Sequence, residues 1–176
     1  MVVQPTLKAL EKKGSPFGGI LYPGLKMSSN GPKTLEFNAR FGDPETQVYM
    51  RLLKKDILDL FESCVDGKLS EQTLEWNDGF AVNIVLCSAG YPDAYQKGKV
   101  ITGIEEANKM PGVVVFHAGT IYQGETLVTN GGRVLGVCAV GDTLKEALDR
   151  AYAAADVIQF EGKYMRRDIG AKSLSR

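Results

Sequence analysis

Apolar and polar residues alternate with two different periods along the chain, and the switches between them predict most of its elements. Leu7 and Leu10 give Thr6 to Lys13 a short helical face, stopped by Gly14 and Pro16. Phe17 to Met27 then reads as a strand, Ser28-Ser29-Asn30-Gly31-Pro32 as a turn and Thr34 to Phe41 as the returning strand, a β-hairpin. On the returning strand Leu35, Phe37, Ala39 and Phe41 point one way, an expected core face, while Glu36, Asn38 and Arg40 point the other. Gly42-Asp43-Pro44 is a turn in which Asp43 suits the N-cap and Pro44 the first position of a helix. Tyr49, Leu52, Leu53, Ile57, Leu60, Phe61 and Cys64 give that helix one continuous apolar stripe, ended by Asp66-Gly67.

Ser70 to Gly79 is polar and reads as a connection, so two subdomains are expected, residues 1–70 and 71–176. Beyond it, Phe80 to Cys87 and Val113 to Phe116 read as strands, and Thr126 to Thr129 with Val134 to Val140 as a hairpin around Asn130-Gly131-Gly132. Thr143 and Glu146 form a capping-box signature, after which Leu144, Ala147, Leu148, Ala151, Tyr152, Ala155 and Ile158 trace one helical face. The expected class is α+β: a hairpin plus helix, then a small, mostly antiparallel sheet with a covering helix.

Composition narrows the function more than the fold. Hydrophobic residues at 44% and charged residues at 24% describe an ordinary globular chain of 176 residues, with no apolar run of transmembrane length and no secretory h-region near the N-terminus. A soluble, cytoplasmic protein is expected. Twenty-one basic and twenty-one acidic side chains cancel, which removes any global electrostatic case for nucleic acid or a membrane surface. Cys64, Cys87 and Cys138 are widely spaced in apolar surroundings and read as reduced core thiols, neither a disulfide framework nor a zinc site.

Candidate chemistry gathers on the polar face of the returning strand. Glu36 and Asn38, two residues apart, aim oxygens at one point and suit a hard cation that completes its shell with water and phosphate oxygens. Arg40 continues that face with a guanidinium able to hold a carboxylate or phosphate in a fork. By spacing alone, a merely solvated face is the favoured reading of these residues.

The wider string decides between them. Leu35-Glu36-Phe37-Asn38-Ala39-Arg40-Phe41-Gly42-Asp43-Pro44-Glu45-Thr46-Gln47 closely resembles the L-E-F-N-x-R-F-G-D-P-E-x-Q motif of phosphoribosylamine–glycine ligases, members of the ATP-grasp superfamily. Gly90-Tyr91-Pro92, Phe116-His117-Ala118-Gly119-Thr120, Gly131-Gly132-Arg133-Val134-Leu135 and Arg167-Asp168-Ile169-Gly170 resemble further signatures of that family in the same order. The resemblance covers essentially the whole chain. Its departures, Ala39 at a variable position and Ser88-Ala89 before Gly90, touch none of the polar candidates.

The resemblance implies ATP-dependent joining of glycine to 5-phosphoribosylamine in purine synthesis: ATP phosphorylates the glycine carboxylate, and the ribosylamine nitrogen displaces phosphate. It implies Glu36 and Asn38 as ligands of Mg2+ or Mn2+, Arg40 as the grip on the carboxylate or acyl phosphate, and Asp43 as a substrate-positioning group or simply a helix cap. Residues 1–70 become the end of an ATP-grasp domain and 71–176 the C-terminal subdomain. The family's N-terminal domain and ATP-grasp lid have no counterpart here, so the chain is expected to be a fragment, inactive alone, with an N-terminal part and further fused purine-pathway domains as candidate partners. The alternatives are a free-standing non-catalytic module, or a half-enzyme completed by a separate chain. His117 is expected as a hydrogen-bonded structural residue, Asn130 to Arg133 first as a turn, and Arg166, Arg167 and Asp168 as a salt-bridged surface.

Overall fold

Contacts in the computed structural model, which describes residues 2–174, divide the chain into two units: residues 2–46 with 53–76, and residues 47–52 with 77–174.

The first unit begins with helix α1 (Val3–Lys12), followed by Gly14 in the left-handed region at φ 75°. The predicted hairpin is present, as β1 (Tyr22–Ser28) against β2 (Gly31–Asn38). Its strands are shorter than the sequence suggests, since 17–20 are not strand and β2 ends before Arg40. The expected core face of β2 is not buried: Leu35 is 71% exposed and Phe37 48%. A two-stranded ribbon has no second layer of its own, and in this unit Leu60 alone joins the buried apolar residues.

The long helix predicted after Pro44 is two helices, α2 (Glu45–Leu52) and α3 (Ile57–Val65). The chain breaks between them because Leu53 bridges to Trp76 and Lys54 N–H bonds Glu75 O at 3.0 Å. Asp56 then restarts the helix, its carboxylate accepting from Leu58 N–H at 2.9 Å. Pro44 lies just before α2, after a cis Asp43–Pro44 bond, so it is not the helical residue the sequence suggests. The α3 helix ends as expected at Asp66-Gly67, with Gly67 at φ 71°. A 3-10 turn, Leu69–Glu71, lies in the connection.

The second unit holds almost all of the core. Strands β3 (Phe80–Ser88), β4 (Val113–His117), β7 (Arg133–Gly141) and β8 (Lys163–Tyr164) form one antiparallel sheet in the order β4-β7-β3-β8. Ile84 faces Val137 and Leu86 faces Leu135, all four fully buried. Helix α5 (Leu144–Val157) covers this face with Ala147, Ala151, Ala154 and Ala155, small side chains that let its backbone lie close to the strands. Thr143 caps α5 as the sequence predicts, accepting from Glu146 N–H at 3.2 Å. The return bond of the box goes one residue earlier than usual, from Asp142 N–H to the Glu146 carboxylate at 2.8 Å. At its other end Lys163 Nζ donates to Ala155 O and Ile158 O, serving carbonyls that a helix terminus leaves without partners. A short helix, α4 (Ile104–Asn108), packs on β4, and α6 (Ala171–Leu174) ends the described chain.

One predicted pairing is wrong. Strands β5 (Thr120–Gln123) and β6 (Thr126–Thr129) pair with each other, whereas β7 pairs with β3 and β4. Asn130-Gly131-Gly132 is therefore a corner carrying the chain from one sheet to another, not a hairpin turn.

All three cysteines are free thiols, with Cys138 buried and Cys64 and Cys87 half-buried. Burial pushes the Cys138 thiol up from 9.0 to about 11, with Arg51 pulling it partly back. Its unfolded form thus ionises first, so this contribution to stability is complete below about pH 9 and is lost as pH rises toward 11. The unfolding free energy from urea titrations should fall over that range on the order of 2 kcal/mol more than in Cys138→Ala. Parallel curves for the two proteins would refute this.

Candidate functional site

In the hairpin register Tyr22 lies opposite Asn38 and Gly24 opposite Glu36, so these four residues share one face. Gly24 makes room there: a Cβ on it would stand 3.0 Å from Glu36 Cγ. The Asn38 amide donates to Glu36 Oε1 at 3.1 Å and to Tyr22 O at 3.5 Å. These bonds hold the amide beside the carboxylate and leave Asn38 Oδ1 and Glu36 Oε2 as acceptors outside that contact. Sequence reasoning did not anticipate Tyr22 and Gly24 as the supports of the pair, although a glycine within an alternating strand signals a close approach.

The donor set fits a hard dication. It offers two oxygens and no sulfur or imidazole, and no cluster of three or more His, Cys, Asp and Glu occurs among the described residues. A cation bound here would take one or two protein ligands and fill its shell with water and phosphate oxygens, which is the habit of magnesium.

Arg40 does not continue the strand face. Past the end of β2 the backbone bends, and its exposed guanidinium donates to Phe41 O at 2.8 Å. Asp43 is exposed in the turn before α2, where Thr46 N–H bonds Gly42 O at 3.0 Å and the Thr46 hydroxyl donates to the same oxygen. Gly42 is buried beneath Glu45 and Tyr22, and a Cβ on it would stand 2.3 Å from Glu45 Oε2. The structure thus brings Glu36 and Asn38 together; Arg40 and Asp43 follow on the next turn of chain.

The later motif residues collect at one end of the second unit's sheet. Ser88 N–H donates to Gly132 O at 2.8 Å and its hydroxyl to Gly131 O at 2.9 Å. Asn130 N–H donates to Gly119 O, and Gly119 N–H to Arg133 O. His117 Nδ1 lies 3.0 Å from the Thr120 hydroxyl, in the strand-end turn expected of it. Burial raises the Cys87 thiol while the charge of Arg133, its register partner on β7, lowers it. Near the chain's end Arg166 forks onto Asp168 and Arg167 onto Asp156, with Arg167 also over the Tyr152 ring at 5.7 Å. Each guanidinium holds its partner carboxyl below the usual range, giving the salt-bridged surface that the sequence suggests.

Comparison with known proteins gives these motifs a context. Residues 1–46 match the family described as phosphoribosylglycinamide synthetase, ATP-grasp (A) domain, which together with the hairpin and its oxygen pair places this segment in the ATP-grasp class. Residues 81–172, over half of the chain, match phosphoribosylglycinamide synthetase, C domain. The chain belongs to the phosphoribosylglycinamide synthetase family. A phosphoribosylamine–glycine ligase from Chlorobaculum tepidum is 52% identical over 173 residues, covering 98% of this chain and 41% of the relative. The crystal structure of phosphoribosylamine–glycine ligase from Thermotoga maritima superposes with a TM-score of 0.79 at 41% identity, over 93% of this chain and 40% of that one. N5-carboxyaminoimidazole ribonucleotide synthetase from Thermotoga maritima is similar in fold alone, with a TM-score of 0.55 at 15% identity over 86% of this chain and 39% of that one. The chain therefore spans about two fifths of the length of the relatives it matches.

Proposed function

We propose that this chain supplies the end of the ATP-grasp domain (residues 1–70) and the C-terminal subdomain (71–176) of a phosphoribosylamine–glycine ligase. That enzyme joins glycine to 5-phosphoribosylamine with ATP, giving glycinamide ribonucleotide, ADP and phosphate. The observation that carries the reading is the Glu36–Asn38 pair, fixed on one hairpin face inside a string characteristic of the family.

In this reaction ATP phosphorylates the glycine carboxylate and the ribosylamine nitrogen attacks the resulting acyl phosphate, so no nucleophilic side chain is required. Binding and charge stabilisation do the work. Glu36 and Asn38 would hold Mg2+ or Mn2+, which when bound neutralises phosphate charge. Arg40, exposed beside them in sequence, would grip the carboxylate or acyl phosphate, and Asp43 would position substrate at the same turn.

The described residues supply one part of that machinery, and the isolated chain should release no ADP with glycine and phosphoribosylamine. Joined to the N-terminal portion of the Chlorobaculum tepidum ligase, it should release ADP only when both substrates are present. Substrate-dependent ADP from the chain alone would overturn the assignment of a partial site, and none from the joined protein would overturn the ligase reading.

A further inference from the structure

The Glu36–Asn38 pair and the turn bearing Arg40 and Asp43 are separate stretches of backbone in the first unit, and Tyr22 touches both. We infer that Tyr22 is a positioning residue for the ligation: its backbone holds Asn38 beside Glu36, while its ring fixes where the Arg40–Asp43 turn sits against that pair. The inference rests on the ligase reading and adds to it a residue that acts through others.

The backbone half of the link follows from the local sequence. Tyr22 precedes Pro23, and a residue before proline is confined to extended backbone, so the Tyr22 carbonyl has a set direction. It lies opposite Asn38 in the hairpin register and accepts from the Asn38 amide. Held by its nitrogen on both Glu36 and Tyr22, that amide cannot turn over without losing both bonds, and its oxygen keeps one direction.

The ring half lies on the turn. A Cβ on Gly42 would stand 2.9 Å from Tyr22 Cε1, so the ring rests directly on the Gly42 backbone. Gly42 is buried, and Thr46 holds the same peptide from the helix side, donating both its N–H and its hydroxyl to Gly42 O. Phe41 packs near Phe61 of α3, with ring centroids 6.0 Å apart. Arg40 goes where this clamped turn goes, because its Nη1 donates to Phe41 O at 2.8 Å, a bond that leaves its other donors able to grip an anion. The Tyr22 ring is half-buried and outside the buried core, so its contact registers the turn more than it stabilises the unit. Registration matters here because the transferred phosphoryl group and the gripped carboxylate must align, and a misplacement of about 1 Å can cost about a hundredfold in rate.

The test has one part without catalysis and one with it. In NMR spectra of the full chain, Gly42→Ala, which pushes on the ring, should shift the side-chain amide signals of Asn38, and should leave them in place once Tyr22→Leu has removed the ring. In the enzyme joined to the N-terminal portion of the Chlorobaculum tepidum ligase, Tyr22→Leu should lower kcat about tenfold or more and raise the glycine KM. The ATP KM and the melting temperature should stay near those of the parent, since the substitution keeps the carbonyl. Tyr22→Phe, which keeps the ring, should recover most of the loss. Should Tyr22→Leu fail to give a native spectrum, Tyr22→Met takes its place in the spectra and Gly42→Ala carries the kinetics. Three results would each overturn the inference: Asn38 signals that respond to Gly42→Ala equally with and without the ring, parent-like kinetics in Tyr22→Leu, or losses that follow the melting temperature in the Leu and Phe variants alike. A joined enzyme that is inactive before any substitution, with Asn38 still responding through the ring, would instead remove the ligase reading and leave the link between pair and turn.

Discussion

Replacing Glu36 by alanine in a family-length enzyme built on this chain should lower kcat/KM on the order of a thousandfold, since loss of a metal ligand removes several kcal/mol of charge stabilisation. The fold should not notice. Glu36 is exposed and accepts from the Asn38 amide two residues along, so the unfolding free energy should stay within about 0.5 kcal/mol of the parent, as is usual for surface positions. Two further readouts separate a ligand from a merely structural residue. Activity of Glu36→Gln, which keeps the shape but not the charge, should recover partly as magnesium is raised, and Gly24→Leu should damage activity by crowding the same carboxylate. Near-normal turnover in Glu36→Ala would end the assignment of this face to the metal.

Ile84→Ala should strongly destabilise the second unit. Its side chain is fully buried between β7 and α5, and removing it should cost about 2–5 kcal/mol, lowering the melting temperature of the second unit by roughly 10–30 °C. Val65→Ala, at a residue 88% exposed, serves as the contrast and should stay within about 0.5 kcal/mol. Equal urea midpoints for the two variants would mean that the sheet under α5 does not hold the unit together.

Where the chain was legible in its sequence, one physical signal dominated. Strands β3, β4 and β7 are apolar runs bounded by polar loops, and α5 has both a capping residue and a helical stripe, so local propensity and tertiary packing agree there. The errors lie where they disagree. The apolar stripe from Tyr49 to Cys64 runs unbroken through Leu52, Leu53 and Ile57, hiding the break that pairing with Trp76 imposes; Asp56, a capping residue, was the available clue. The Asn-Gly-Gly corner was read as a hairpin because turn chemistry reports only local geometry, while the partners of β6 and β7 are set by contacts far along the chain. Leu35 and Phe37 were assigned to a core by alternation, which says that they share a face and not that anything covers it. Spacing set Glu36 and Asn38 on one face and the resemblance of their string singled them out, but the cross-strand glycine and the Tyr22 carbonyl beside them were not legible, because register is invisible until the strands pair.

The divided loyalty of α2 bears on how this polypeptide can be dissected. Residues 47–52 group with the second unit although they precede the connection: Arg51 donates to Gly112 O at 3.1 Å, and Cys138 Sγ reaches Gln47 O at 3.7 Å. A piece excised at the family boundary near residue 81 would leave that helical turn behind and uncover the strand surface around Cys138. The smallest autonomous piece of this half is not a continuous stretch of sequence, and gene fusions or splits placed by sequence boundaries alone would cut through its packing.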